Sequence, residues 1–245
     1  MTDKLPLRTS PRIVRFLQAR LSPAGYLGLH LTVGLAVVLI AGWGFAEIAE
    51  GVVDHEAITR IDESVALWFH HQATPGLTVA ARVPSFVGSV AFVTVASVVV
   101  ALGMAWKRWW NRSLVFALTM AGGSVLNLLL KHFFHRQRPI LENPLVTLMS
   151  YGFPSGHTMG ATIFYGILRC FALQLVKRTG YRTLIVIAAS VVVALVGTSR
   201  LYLGAHYFSD VIGAIAVGAA WLGFCWTGNE TLRRRKLQPR ISRDT

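Results

Sequence analysis

Long apolar runs alternate with short polar segments along nearly the whole chain. Six runs, near 25–47, 86–106, 113–133, 157–176, 183–203 and 208–227, approach or exceed the roughly 20 residues a helix needs to cross a bilayer. The pattern predicts an all-α polytopic membrane protein with six transmembrane helices in one bundle. The segments between the runs are too short for a second domain. Residues 25–227 therefore read as one six-span unit, flanked by a basic segment, 1–24, and a basic tail, 228–245. One polar segment has a periodicity of its own. Between Asp54 and His71, the residues Ile58, Ile61, Val65, Trp68 and Phe69 recur at helical spacing, which predicts an amphipathic helix on the membrane surface. Such a helix either packs between spans or covers a lipid access path.

Composition agrees with the spans. Only 14% of residues are charged and 53% are hydrophobic, against about a quarter charged in soluble domains. The net charge of +13 would suit nucleic acid, but its distribution points elsewhere. Basic clusters precede span one (Lys4, Arg8, Arg12, Arg15, Arg20) and separate spans two and three (Lys107, Arg108, Arg112). Others separate spans four and five (Lys177, Arg178, Arg182) and follow span six (Arg233, Arg234, Arg235, Lys236). If the spans alternate, all lie on one side, and the positive-inside rule places both termini in the cytoplasm. No nucleic-acid partner is expected, and the basic segments suit anionic lipid. The long basic lead and the lack of a small-x-small site predict a retained anchor, not a cleaved signal peptide. Trp106, Trp109 and Trp110 fit an aromatic belt at the cytoplasmic interface. Cys170 and Cys225 sit inside spans without metal-ligand spacing.

The remaining polar residues gather at the other side. Span three ends at Lys131, followed by Arg138; span four opens at Pro154-Ser155-Gly156-His157; span five ends at Ser199-Arg200; His206 and Asp210 begin span six. Charges at membrane depth are costly and mark function. Lys131, Arg138 and Arg200 form a cationic cage for a multiply charged oxyanion. Ser155 and Gly156 start a helix whose free N–H groups and dipole favour the same anion, and Gly156 allows close backbone approach. His206 and Asp210, four apart, share a helix face, so the carboxylate can orient the imidazole as a nucleophile. His157 is left to protonate a leaving oxygen. The chemistry that follows is in-line attack on phosphorus and a phosphohistidine intermediate, hydrolysed by water. It calls for no cofactor and no metal, and no metal-ligand spacing is present.

These residues carry a resemblance. Lys131 through Arg138-Pro139 fits K-x6-R-P, Pro154 to His157 fits P-S-G-H, and Ser199-Arg200 with His206 and Asp210 fits S-R-x5-H-x3-D. The chain resembles the type 2 phosphatidic acid phosphatase, or lipid phosphate phosphatase, superfamily, in its bacterial membrane branch. The resemblance implies phosphate binding by Lys131, Arg138, Arg200, Ser155 and Gly156. It implies His157 as general acid, His206 as nucleophile and Asp210 as its orienter. It also implies an integral protein of the bacterial cytoplasmic membrane with its site on the extracytoplasmic side. The substrate would be a phosphorylated membrane lipid: phosphatidylglycerol phosphate, phosphatidic acid or undecaprenyl pyrophosphate. No obligate protein partner is signalled. The soluble haloperoxidases that share the motifs do not match this composition.

Other residues read as supporting. His132, His135, Arg136 and Glu142 fall at variable loop positions; Arg136 reads as a rim charge that draws anionic headgroups. His30 reads as a snorkelling residue near the end of span one. Arg169, 12 residues beyond His157 and so about 18 Å deeper along a helix, either snorkels to the cytoplasmic surface or pairs inside the bundle. Gly122, Gly123, Ser124, Ala214 and Gly218 permit close helix packing. A transporter would place its polar set near the midplane in repeated halves, and a silent scaffold would have no use for the His206–Asp210 pair.

Overall fold

A computed structural model describes residues 28–142, 144–146 and 148–237. Among them are eight α-helices and no strand. They are α1 (Leu29–Val53), α2 (Ala57–His71), α3 (Pro75–Val87), α4 (Val90–Trp106), α5 (Trp110–Phe134), α6 (Gly156–Leu175), α7 (Thr179–Tyr202) and α8 (Phe208–Leu237). Among the described residues, six segments are long and apolar enough to cross a membrane, one of them the combined stretch Pro75–Trp106. The expected spans are therefore all present as helices. The predicted segment 1–24 and residues beyond 237 lie outside the described residues, and α8 runs on through 228–237, expected as tail.

Span two differs from its expectation, beginning at Pro75 and breaking at Gly88-Ser89. Local chemistry accounts for both features. Thr74 accepts a hydrogen bond from Leu77 N at 3.3 Å, with Pro75 in the first turn where its missing N–H costs nothing. Ser89 accepts from Phe92 N at 3.1 Å and restarts the helix as α4. At Gly88 a Cβ would stand 2.3 Å from Val196 Cγ1, so only glycine lets the break press against α7.

α6 is the central helix, packed on α8, α7 and α5. The core is apolar: Phe116, Met159, Ile163, Phe164, Ile167, Ala214, Val217 and Leu222. Small residues do what the sequence implied. A Cβ on Gly123 would meet Ile163 at 2.4 Å and one on Gly122 would meet Trp221 at the same distance, while Gly218 lies against Thr162. Many outward-facing Val, Leu and Phe side chains are exposed, as lipid-facing positions must be.

The predicted surface helix forms as α2, but its inward stripe is turned from the expected one. Ile61 and Trp68 are half exposed or more, and Asp62 and Ala66 are buried. The rotation follows from Asp62, whose carboxylate is tied to the start of α8. The end of α5, the starts of α6 and α8, the end of α7 and α2 thus meet at one end of the bundle. The basic clusters around Lys107–Arg112, Lys177–Arg182 and Arg233–Arg235 stand at the other.

Candidate active site

The site is assembled from helix ends. Ser155 caps α6: its Oγ accepts from Thr158 N and contacts Thr158 Oγ1 at 3.0 Å. Its own N–H donates to Asp210 O at 3.0 Å, which locks the start of α6 to the start of α8. Asn127 Nδ2 reaches Pro154 O at 3.5 Å. A Cβ on Gly156 would lie 3.1 Å from Asn127 Oδ1 and 3.7 Å from Lys131 Cε, so the glycine keeps the lysine stem close to the helix start.

His206 lies in the turn between α7 and α8, which Gly204 enters at φ +64°. Its Nδ1 stands 3.3 Å from Asp210 Oδ2. The same oxygen accepts from Tyr207 N at 2.9 Å. A buried carboxylate is an acceptor, so it selects the tautomer with the proton on Nδ1 and leaves Nε2 as the accepting nitrogen. Nε2 faces Arg138 Nη1 at 3.2 Å. Burial pushes the His206 imidazole down to about 4 from 6.5, against the opposing pull of Asp210. The ring is therefore neutral at pH 7, the form in which Nε2 is nucleophilic.

Arg138 and Lys131 both act electrostatically on that ring. Arg138 donates to Ser150 O at 2.6 Å, to Ser150 Oγ at 3.0 Å and to Ala205 O. Lys131 Nζ donates to Tyr151 O. Arg200, only 3% exposed, donates through Nη1 to Ser85 Oγ at 2.6 Å, while its buried Nε has no partner among the described residues. A buried guanidinium N–H without an acceptor is costly unless a ligand completes it. His157 is half-buried, and no hydrogen bond to another described residue holds its ring. Arg200, His206, Arg138 and Lys131 all lie within electrostatic range of it. All eight residues singled out from sequence thus meet at one end of the bundle.

The sequence reading also needs correction. Arg136 is no rim charge. Its Nη1 donates to Asp210 Oδ1 and Ser209 Oγ, each at 2.6 Å, and its Nη2 to Asp62 Oδ2 at 2.6 Å. The guanidinium also stacks on Tyr207, 4.8 Å from the ring centre. Burial opposes its charge, but Asp210 and Asp62 more than offset that and hold the pKa above its usual range. Asp62 and Ser85 were equally unforeseen; the available signal was a carboxylate in the 58–62–66–69 stripe of α2. His132, His135 and Glu142 are exposed, as expected. His30 pairs with Thr231 at 3.2 Å. Arg169 does not reach the site. It lines a cavity of about 560 Å³ with His30, Cys170, Ser190 and Thr227 in the other half of the bundle.

An all-helical membrane bundle with a histidine–carboxylate pair inside a cationic cage defines a class, the membrane-embedded phosphatases of the PAP2 type. The sequence matches the PAP2 superfamily over residues 112–234, and the chain belongs to that family. Among its relatives is phosphatidylglycerophosphatase B of Bacillus subtilis (strain 168), 30% identical over 175 residues, which span 71% of this chain and 86% of that protein. Lipid phosphate phosphatase delta of Arabidopsis thaliana is 33% identical over 89 residues, 34% of this chain but only 21% of its own length. The crystal structure of a transmembrane PAP2-type phosphatidylglycerolphosphate phosphatase from Bacillus subtilis matches with a TM-score of 0.73 and 26% identity, covering 84% of this chain and 98% of that one.

Proposed function

We propose that the protein hydrolyses the phosphomonoester of a membrane lipid at the extracytoplasmic face, through a phosphohistidine on His206. The observation that carries this is the division of His206 between two partners: Asp210 on Nδ1 and the Arg138 guanidinium beside Nε2. Nε2 attacks phosphorus in line, the bond to the lipid oxygen breaks, and His157 gives that oxygen its proton. Arg138, Arg200, Lys131 and the amides behind Ser155 and Gly156 hold the equatorial oxygens as charge redistributes. Water, deprotonated by His157, then attacks phosphorus and releases phosphate and the free imidazole. The cage supplies the charge that a divalent ion supplies in metallophosphatases, so turnover needs no metal. The site's position at the helix ends suits a lipid headgroup, and the basic clusters at the other end support an extracytoplasmic site in a bacterial inner membrane.

Similarity to phosphatidylglycerophosphatase B of Bacillus subtilis, matched both in sequence and in its crystal structure, favours phosphatidylglycerol phosphate over phosphatidic acid and undecaprenyl pyrophosphate. The test is phosphate release by purified protein in detergent from all three lipids, with chelator present and His206→Ala as control. Chelator-resistant release, fastest from phosphatidylglycerol phosphate and absent in the variant, is expected. An absolute need for divalent metal would refute the mechanism, and faster release from undecaprenyl pyrophosphate would move the substrate to the pyrophosphates.

A further inference from the structure

Asp210 has two carboxylate oxygens with separate duties. Oδ2 serves His206 and Tyr207 N, and Oδ1 receives Arg136 alone of the charged groups. A carboxylate held on one oxygen only can rotate about its terminal torsion, which is broad and soft. Arg136 removes that freedom, and Arg136 is itself fixed. Asp62 takes its other nitrogen, Ser209 Oγ shares the first, and Tyr207 lies under the guanidinium. Asp62 in turn accepts from Ser209 N at 2.8 Å and Ser209 Oγ at 2.5 Å. It thereby acts as the N-terminal cap of α8 from another helix. Asp62 and Asp210 are 1% and 0% exposed, so water does not reach the two carboxylates. Two carboxylates and one guanidinium leave the cluster one negative charge, beside the imidazole that becomes cationic when phosphorylated.

We infer that Asp62 and Arg136 are positioning residues for the nucleophilic step. Through Arg136, helix α2 holds the Asp210 carboxylate in the rotamer that meets His206. The inference rests on the reading of His206 as nucleophile and Asp210 as its orienter. It gives α2 a task beyond filling the space between spans: a residue far from the three motifs sets the geometry of the third.

The test is a mutant cycle on the full-length protein in detergent, with phosphatidylglycerol phosphate as substrate. Asp62→Asn keeps the shape and removes the charge. Its kcat is expected to fall about 10- to 100-fold, the usual cost of a lost supporting shell, with KM little changed. In an Asp210→Asn background, where Arg136 would then lose both counter-ions and thermal unfolding must confirm the fold, the same change should cost the folded protein no further kcat, because nothing remains to be held. Arg136→Lys, which keeps a charge but has no fork to span two carboxylates, should behave alike. Full activity in Asp62→Asn, or equal losses in both backgrounds, would overturn the inference. So would loss of folding in both Asp62→Asn and Arg136→Lys, which would make the pair a stability element only. His206→Ala separates the two levels. Turnover surviving there refutes the underlying reading, whereas a dead His206→Ala beside a fully active Asp62→Asn refutes this inference alone.

Discussion

Asp210→Asn tests the nucleophile assignment most directly. The substitution is nearly isosteric, and the carboxylate it neutralises is fully buried at the junction of α8 and the His206 turn. Two effects follow. An amide nitrogen facing Nδ1 donates where the carboxylate accepted, favouring the wrong imidazole tautomer. An amide oxygen there preserves the tautomer but lacks the charge that balances the phosphoimidazolium. The second effect sets the scale. With Nδ1 3.3 Å from Oδ2, opposite unit charges about 4 Å apart attract by about 4 kcal/mol at an effective dielectric of about 20. Losing that attraction as the charge develops during phosphoryl transfer corresponds to up to roughly a 10³-fold slower kcat. Arg136 keeps Asp62 as its counter-ion, so the fold should survive. The assay is single-turnover phosphate release from phosphatidylglycerol phosphate in detergent, with thermal unfolding as the fold control. A folded Asp210→Asn protein within tenfold of the parent would refute the reasoning.

Three further outcomes are expected. His206 should titrate with a midpoint near 4, read from the ring carbon signal of isotope-labelled histidine and assigned by its loss in His206→Ala. Because burial lowers this pKa in the folded state, the unfolded chain binds the proton more tightly. Stability is then full above pH 6.5 and declines as pH falls from 6.5 towards 4, and a midpoint near 6.5 would refute the burial argument. Gly204→Ala places a Cβ 2.6 Å from Leu141 Cδ1 at a left-handed φ, and should destabilise the protein by about 1–2 kcal/mol, seen as a lower unfolding temperature in detergent. Arg169→Leu, facing the cavity in the other half of the bundle, should leave turnover nearly unchanged; a folded but inactive variant would give Arg169 a part in the reaction.

The spans were legible because membrane crossing imposes length and apolarity on consecutive residues, and both can be counted along a chain. The motif residues were legible because each group sits within a few positions at a helix end, where spacing alone implies a shared face or a free N-terminus. Arg136 was misread for the opposite reason. In the loop pattern it is one more cation, and only the carboxylates it meets distinguish it from His135 or Gln137. Asp62 pairs with Ser209 across 147 residues, and Arg200 with Ser85 across 115. No local periodicity encodes such a meeting. The break at Gly88 is similar, since the missing side chain matters only because Val196 of α7 fills its place. Composition and spacing therefore specified a six-span bundle with its cationic motif residues gathered at one end. Which charges are buried, which carboxylate oxygen serves which partner, and which face α2 turns inward depend on contacts between distant segments, and those arise only when the helices pack.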